Sequence, residues 1–481
     1  MNQEIIKYAR ENNLIITEKA LRLLNNYNYK KIIEKLKGKE ILFVKENDIL
    51  KIQNEKNQKE ENFEENFENN FIILDKYDIT NKNYSQGSVE DFHKLFIDKY
   101  NTISQILKNR LNCEYTTIEN AKNLIKNQKV DIIGMVYEKR MSKNENLILD
   151  VDDPTGRIKL VILNKDEEKF EKYKQTLTDN VLGFKCNVLS KDMLIVNEII
   201  YPDIPLEKNK STTTIDKYIA IIGDTHVGSK LFLEKEFAKF IDWINGENGQ
   251  KEIIEKIKYL IIAGDLVDGV GIYPDQYDEL AITDVFKQYE LFEDYILKIR
   301  ENIEIFIISG NHDAVRLSDP QPAIDKKYLP RLYTKKNIHI MGSPSWVIFD
   351  GLKTLMYHGA SLHGIYAEIK GMQMDKPDLA MKEVLIRRDL MPQYGHRQTF
   401  VPIEKNLMTI NEIPDIFITA DVHHHAYSKY KNTHLICSSC WQSTTKYQIE
   451  KGHVPTIAKV LLFNLKDETL LIKDFEEDKN E

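Results

Sequence analysis

Five stretches in the second half of the chain each run a block of apolar residues straight into a side chain that binds metal. They are KYIAIIGDTH (Asp224, His226), KYLIIAGD (Asp265), IFIISGNHD (Asn311, His312), TLMYHG (His358) and DIFITADVHHH (Asp421 to His425). Apolar runs of this kind predict buried strands. One strand ending in a polar turn means little, because Asp caps helices and Asn-His makes turns. Five such endings predict a sheet edge at which residues distant in sequence converge on metal ions.

The donor types narrow the chemistry. Cleaving a phosphodiester needs an activated water near neutral pH, neutralised phosphate oxygens and a stabilised leaving oxygen, and two divalent ions about 3.5–4 Å apart supply all three. Such a pair needs one shared ligand and a mixture of oxygen and imidazole donors on each side. Asp224 and His226, at i and i+2 after a strand, can face the same side of its end. Asp265 is placed to bridge, Asn311 adds a neutral carbonyl oxygen, and His358 and His423 add imidazoles. Hydrolysis of a phosphoester with two metals is the activity this half of the chain predicts.

Composition excludes several classes. With 481 residues the chain has room for roughly two to four domains and a large core. The 67 Lys and Arg against 75 Asp and Glu give a net charge of −8, which argues against a protein that coats nucleic acid through bulk charge but leaves room for a local basic groove. Four Cys are too few for a disulfide framework, and the C-x-x-C of Cys437 and Cys440 has no second pair to make a zinc site, so ordinary buried or turn cysteines are expected. No apolar run approaches the ~18 residues of a membrane span, and the N-terminus lacks a secretory h-region, so a cytoplasmic protein is expected.

Along the chain, residues 3–36 carry helical spacing, with Ile5, Ile6, Ala9, Leu14, Ile15, Ala20, Leu21, Leu23 and Leu24 followed by Ile32, Ile33 and Leu36. A small helical module is expected over 1–45. Residues 46–90 include NFEENFENNF and read as a disordered linker, with Phe63, Phe67 and Phe71 able to form one sticky face as the alternative. A helix near DFHKLFIDKYNTISQILKNRL then leads into strands at 129–139, 146–151 and 157–164, a helical segment at 167–177, and strands at 182–190 and 193–200. Three strands, a helix and two strands suit a five-stranded oligonucleotide-binding (OB) barrel over 91–207, although such barrels also serve only as protein contacts. Asp153-Pro154-Thr155-Gly156 supplies a hairpin turn. After the polar KNKSTTT, strands alternate with helical segments at 233–245 and 285–299, predicting a layered α/β domain over 215–470.

The motifs GDTH, GDLVDG, GNHD, HG and the His-rich turn resemble the calcineurin-type metallophosphoesterase superfamily. GNHDAVRLSDPQPAI, YHGASL, LIRRDLMPQYG, PDIFITADVHHHAY and SCWQSTTKYQ resemble one family in particular, the small subunit of the archaeal family D DNA polymerase, over roughly residues 125–465. The resemblance implies an α/β fold whose phosphoesterase domain is a two-layered β-sandwich with helices on its faces, behind the OB barrel. It implies a 3′→5′ exonuclease on single-stranded DNA ends that proofreads for a large catalytic subunit and meets primer-template DNA beside it. By motif, Asp224, His226, Asp265, Asn311, His358 and His423 become metal ligands, and His312 the residue that protonates the departing 3′-oxygen or stabilises its charge, with Asp313 orienting its imidazole. Two divalent ions are implied, manganese first and magnesium as an alternative.

One departure stands out. Where the family shows Gly-His-x-His, this chain reads Ala420-Asp421-Val422-His423, followed by His424 and His425. Aligned without a gap, Asp421 replaces an imidazole by a carboxylate, which suits manganese or magnesium. A local bulge would instead present His423 and His425, but the strand DIFIT fixes the register and favours the ungapped version. Arg387, Arg388, His396 and Arg397 surround LMPQYGHRQ and could position DNA phosphates, or face solvent or a subunit. Trp441 and Tyr447 could be stacking platforms, though a Trp inside an apolar run is expected in the core. The competing functional readings are a scaffold subunit with a silent phosphoesterase fold and a phosphatase for small molecules or proteins.

Overall fold

The computed structural model describes residues 71–476 apart from 83, 84, 112, 113, 207–210, 248, 396, 397 and 451, and scattered positions before residue 71. The chain divides into two compact units, 1–70 and 71–481. In the first, Ile5, Ala9, Ala20 and Ile33 are helical and buried, as their spacing predicts. Ile15, expected on a helix face, instead forms a short strand Ile15–Ile16 that pairs in parallel with Phe43–Val44. Three consecutive β-branched residues, Ile15, Ile16 and Thr17, favour the extended backbone over a helical turn. Phe63, Phe67 and the rest of the 46–70 stretch lie outside the described residues.

In the second unit, the strands Lys129–Met141, Leu147–Asp153 and Gly156–Ile162 form an antiparallel meander. Met193–Ile200 pairs in parallel with the third of these, and Val181–Ser190 lies between Met193–Ile200 and the first, closing the barrel. The order one-two-three-five-four, with the helix Glu167–Lys174 between the third and fourth strands, is that of an OB barrel. Each ingredient has a local cause. Burial alternates along Leu147–Asp153, so one face fills the barrel. Asp153 accepts hydrogen bonds from the backbone N–H groups of Thr155 (2.7 Å) and Gly156 (3.0 Å), which closes the hairpin. The Asp166 carboxylate caps the helix by accepting from Lys169 N. The helix Val89–Leu111 lays Ile103 and Leu107 against Ile133, Val181 and Ile200 of the barrel.

The remaining strands build two six-stranded sheets. One runs Ile338–Met341, Glu304–Ile308, Ile257–Ala263, Tyr218–Ile222, Lys459–Asn464, Leu470–Asp474; the other runs Ala426–Tyr430, Thr433–Cys437, Ile416–Thr419, Leu352–Met356, Ser345–Phe349, Phe71–Ile73. Ile219, Ile221, Tyr259, Ile261 and Phe306 of the first sheet meet Val347, Phe349, Met356, Ile416 and Ile436 of the second in the sandwich core. The outer face of the first sheet, including Ala220, Ile222 and Ile262, is covered by Phe237, Phe240, Tyr289 and Phe292 from the helices Glu234–Ile244 and Val285–Ile296. Met381, Val384 and Leu385 of the helix Pro377–Arg387 cover the other sheet. Burial on both faces is why these strands read as continuous apolar blocks.

The linker expected over 46–90 ends too late. Phe71–Ile73 is an edge strand, antiparallel to Ser345–Phe349, and the Phe71 ring meets those of Phe306 (5.0 Å) and His339 (4.8 Å) edge-on. The apolar run FIIL is enough to add a strand, and the Asn- and Glu-rich composition before it masks that signal. The following turn is fastened by Glu412, whose carboxylate accepts from Lys76 Nζ and the Tyr77 hydroxyl and pairs with Lys353.

Candidate metal centre

The five strand ends meet at one place. Tyr218–Ile222, Ile257–Ala263 and Glu304–Ile308 are parallel neighbours in one sheet, and Leu352–Met356 and Ile416–Thr419 are parallel neighbours in the other. Their carboxyl ends therefore point the same way, and the residues just beyond them line a common hollow at the edge of the sandwich. Asp224, His226, Asp265, His358 and His423 are all buried there.

Two lobes emerge from the distances. In one, His226 Nε2 lies 2.9 Å from His423 Nε2, and His423 Nε2 lies 3.9 Å from Asp224 Oδ1. In the other, His358 Nε2 lies 2.8 Å from Asn311 Oδ1, 3.3 Å from Asp265 Oδ2 and 3.7 Å from Asp421 Oδ1. Asp265 Oδ2 also sits 3.8 Å from His226 Nε2, so this carboxylate reaches both lobes. Asp224/His226/His423, His226/Asp265/His312 and Asp224/Asp265/His358 each bring ligand atoms within 4.8 Å of one another.

The donor chemistry fits a cation. His358 Nδ1 donates to the Ala263 carbonyl at 2.7 Å, so in a neutral ring Nε2 presents a lone pair to the Asn311 and Asp265 oxygens, which are acceptors too. Three lone pairs aimed at one point repel unless a positive charge joins them. Burial opposes charge on His358, yet Asp265, Asp224 and Asp421 outweigh it and raise the imidazole well above its ordinary range. Burial, reinforced by Asp265 and Asp421, pushes the Asp224 carboxyl well up. Burial and the neighbouring His226 push His423 well down, keeping it a neutral donor. One carboxyl reluctant to ionise, that of Asp224, close to an imidazole pressed to carry a proton is an arrangement that a divalent cation could relieve.

The backbone is bent to this purpose. Asp224, His226, Asp265, Asp421 and His423 have φ of 50°, 49°, 52°, 70° and 55°, the left-handed region that costs non-glycine residues roughly 1–3 kcal/mol each. Glycine makes the approach possible at two points. A Cβ on Gly310 would lie 2.2 Å from Asp265 Oδ1, and one on Gly264 2.5 Å from His358 Nδ1.

Asp421 and His423 both turn into the hollow, whereas His425 turns away, stacking on His424 with its backbone N–H on Thr456 Oγ1. Asp421 is itself met by His363 Nε2 at 2.8 Å, and His363 and His358 hold its carboxyl low against the effect of burial. His312 lies beside the site, its N–H donating to Asp265 Oδ1 at 2.8 Å and its ring 4.7 Å from that of His226.

Two expectations need correction. Asp313 does not orient His312. Its carboxylate accepts from Gly310 N (2.9 Å), Leu266 N (3.2 Å) and the Tyr289 hydroxyl (3.0 Å), stapling the loops together. His312 Nδ1 instead meets the Asp268 carbonyl at 2.8 Å, while the Asp268 carboxylate holds His226 Nδ1 at 3.1 Å. Asp268 is a functional neighbour that strand-end reasoning passes over, although it stands in GDLVDG, three residues after Asp265. Second, Arg387 and Arg388 are not offered to DNA. Both are about 3% exposed, with the Arg387 guanidinium on Asn180, Gln175 O and Glu383, and that of Arg388 on the carbonyls of Ile410 and Asn411. Arg387 ties the helix Pro377–Arg387 to the barrel at Gln175 and Asn180, and Arg388 holds the loop at 410–411; Arg397 and His396 lie outside the described residues. Trp441 is a core residue, packed against Phe237 and Phe240, as its apolar context predicts. Cys437 and Cys440 are buried thiols, raised by burial, facing the carbonyls of Ala420 and Gln442. Among the described residues, no helix is long and apolar enough to cross a membrane.

Comparison with known proteins agrees with this architecture. Residues 219–429 match the B-subunit family of DNA polymerases alpha and epsilon. The chain is 37% identical over 391 residues to the DNA polymerase II small subunit of Methanothermobacter thermautotrophicus, covering 80% of each chain. It is 33% identical to that of Thermoplasma acidophilum over 477 residues, 98% of this chain and 93% of the relative. The small subunit of Archaeoglobus fulgidus DNA polymerase II is 36% identical over 83% of this chain and 80% of its own. With a five-stranded OB barrel, two packed six-stranded sheets and this extent of identity, the chain belongs to the family of archaeal DNA polymerase II small subunits.

Proposed function

We propose that this small subunit is a 3′→5′ exonuclease that removes nucleotides from single-stranded DNA ends, working beside a large subunit that carries out synthesis. The observation that carries the reading is the pair of lobes joined by Asp265, in which carboxylate, amide and imidazole ligand atoms from five strand ends converge. Asp224, His226 and His423 would hold one divalent ion and Asp265, Asn311, His358 and Asp421 the other, with Asp265 shared. When bound, two such ions neutralise phosphate charge and lower the pKa of water enough for attack near pH 7. The mixed carboxylate, amide and imidazole set suits manganese.

The chain's own residues do the rest. His312 donates Nδ1–H to the Asp268 carbonyl, which fixes the ring and leaves Nε2 for the departing 3′-oxygen. Asp268 holds the tautomer of His226 through Nδ1, leaving Nε2 as a donor to the ion, and His363 steadies Asp421 in the same way. The family supports DNA as the substrate and a large subunit as the partner. The barrel with its leading helix, taken as 91–207, and the phosphoesterase domain, taken as 215–470 with Phe71–Ile73 added, would form one platform for primer-template DNA.

The test is direct. Metal-stripped protein restored with manganese should shorten a 5′-labelled single-stranded oligonucleotide one nucleotide at a time from its 3′ end. His312→Ala should slow this at least a hundredfold while leaving manganese binding intact. A wild-type protein that binds manganese but leaves the oligonucleotide whole returns the subunit to a scaffold role.

A further inference from the structure

We propose that Tyr273 is the platform on which the 3′-terminal base of single-stranded DNA stacks, seating the scissile phosphate over the metal centre; the inference rests on the exonuclease reading above. The residue sits on the loop that leaves Asp268. Gly269 and Gly271, at φ of +74° and +77°, turn the chain there, and the loop presses close enough that a Cβ on Gly269 would lie 2.4 Å from the His312 carbonyl oxygen. Buried Gln276 fastens it by donating to the Asp268 carbonyl (2.8 Å) and carboxylate (2.9 Å) while accepting from Ile272 N (2.9 Å). The Tyr273 hydroxyl donates to Glu279 Oε2 at 2.9 Å.

The ring is therefore held from both ends, and its centroid lies 6.1 Å from that of His312. Even so, Tyr273 remains 37% exposed, flanked on the same loop by exposed Val270 and Tyr277. Among the described residues it is the one exposed aromatic whose ring also meets a ring of the site. A fixed aromatic face loses little freedom when a base settles on it, and stacking accepts any base, which a proofreading exonuclease requires.

The experiment compares wild type, Tyr273→Phe and Tyr273→Ala. With manganese and an intact 3′-terminal base, Tyr273→Ala should raise KM about tenfold, the loss expected for one base–aromatic stack, with kcat changed less and Tyr273→Phe close to wild type. With an abasic 3′-terminal nucleotide, all three should share one KM. In calcium, to hold the substrate uncut, a 3′-terminal 2-aminopurine should be quenched by wild type and Tyr273→Phe but not by Tyr273→Ala. An alanine variant with wild-type KM and quenching overturns the proposal, as does an equal KM penalty on the abasic end, which would assign the effect to loop structure. Quenching without cleavage by wild type would count against the exonuclease reading while upholding the stack.

Discussion

The barrel and the edge of the sandwich are built from strands of similar length, yet they obey different rules. In the barrel, non-glycine residues with positive φ, such as Asn127, Glu145 and Asp179, sit in connecting turns. At the sandwich edge, five of them crowd one buried hollow, and the carboxyl groups of Asp224, Asp265, Asp268 and Asp313 lie with them at 2% exposure or less. Packing and turn chemistry account for the barrel without reference to a ligand. The edge carries backbone strain and buried charge that packing does not require and that a bound cation could relieve.

That contrast can be broken at several points. The largest effect should come from Asp265→Asn, which removes the carboxylate shared by both lobes. DNA hydrolysis should fall by at least about a thousandfold, whereas melting of the metal-free protein should change little, because a buried charge is removed along with its hydrogen bonds. A steep fall in metal-free melting temperature would mean that Asp265 is structural. In the barrel the pattern should invert. Leu160, fully buried there, should cost about 2–5 kcal/mol when changed to Ala, with hydrolysis per folded molecule and the manganese-induced rise in melting temperature preserved.

Gly310→Ala tests the close approach at the edge. The added Cβ must displace Asp265, so manganese affinity, read by calorimetry, should weaken about tenfold or more although no ligand is removed. The smallest effect belongs to Glu412, away from the hollow. Burial works against its charge, but hydrogen bonds from Lys353, Lys76 and Tyr77 prevail and bring its pKa down from 4.5 to about 2. A depressed carboxylate stabilises the fold above its unfolded pKa and loses that contribution as pH falls through the folded value. Glu412→Gln should therefore cost about 1 kcal/mol at pH 7, allowing for solvent screening, and the gap to wild type should close between pH 4.5 and about 2 in urea titrations.

Much of the edge was legible because parallel strands covered on both faces leave unbroken apolar blocks, and each block delivers its ligand at the same strand end. The barrel strands were legible from alternation and from the Asp153 turn. What escaped depends on direction and on context beyond one segment. Arg387 closes a helix and Arg388, at φ of 54°, reverses the chain, so both guanidinium groups turn inward to carbonyls that come from other elements. Phe71–Ile73 has three residues and needs the partner Ser345–Phe349 to be a strand at all. Asp268 and Asp313 both neighbour ligands, and only the fold decides that Asp268 braces the histidines while Asp313 braces backbone.

Electron paramagnetic resonance of metal-stripped protein titrated with manganese tests the two-lobe centre most directly. Two ions per chain are expected, with the spectrum of an exchange-coupled pair, and that coupling should be lost in Asp265→Asn. A wild-type chain that takes up no manganese, or shows only isolated single-ion signals at saturation, would rule out the two-lobe centre.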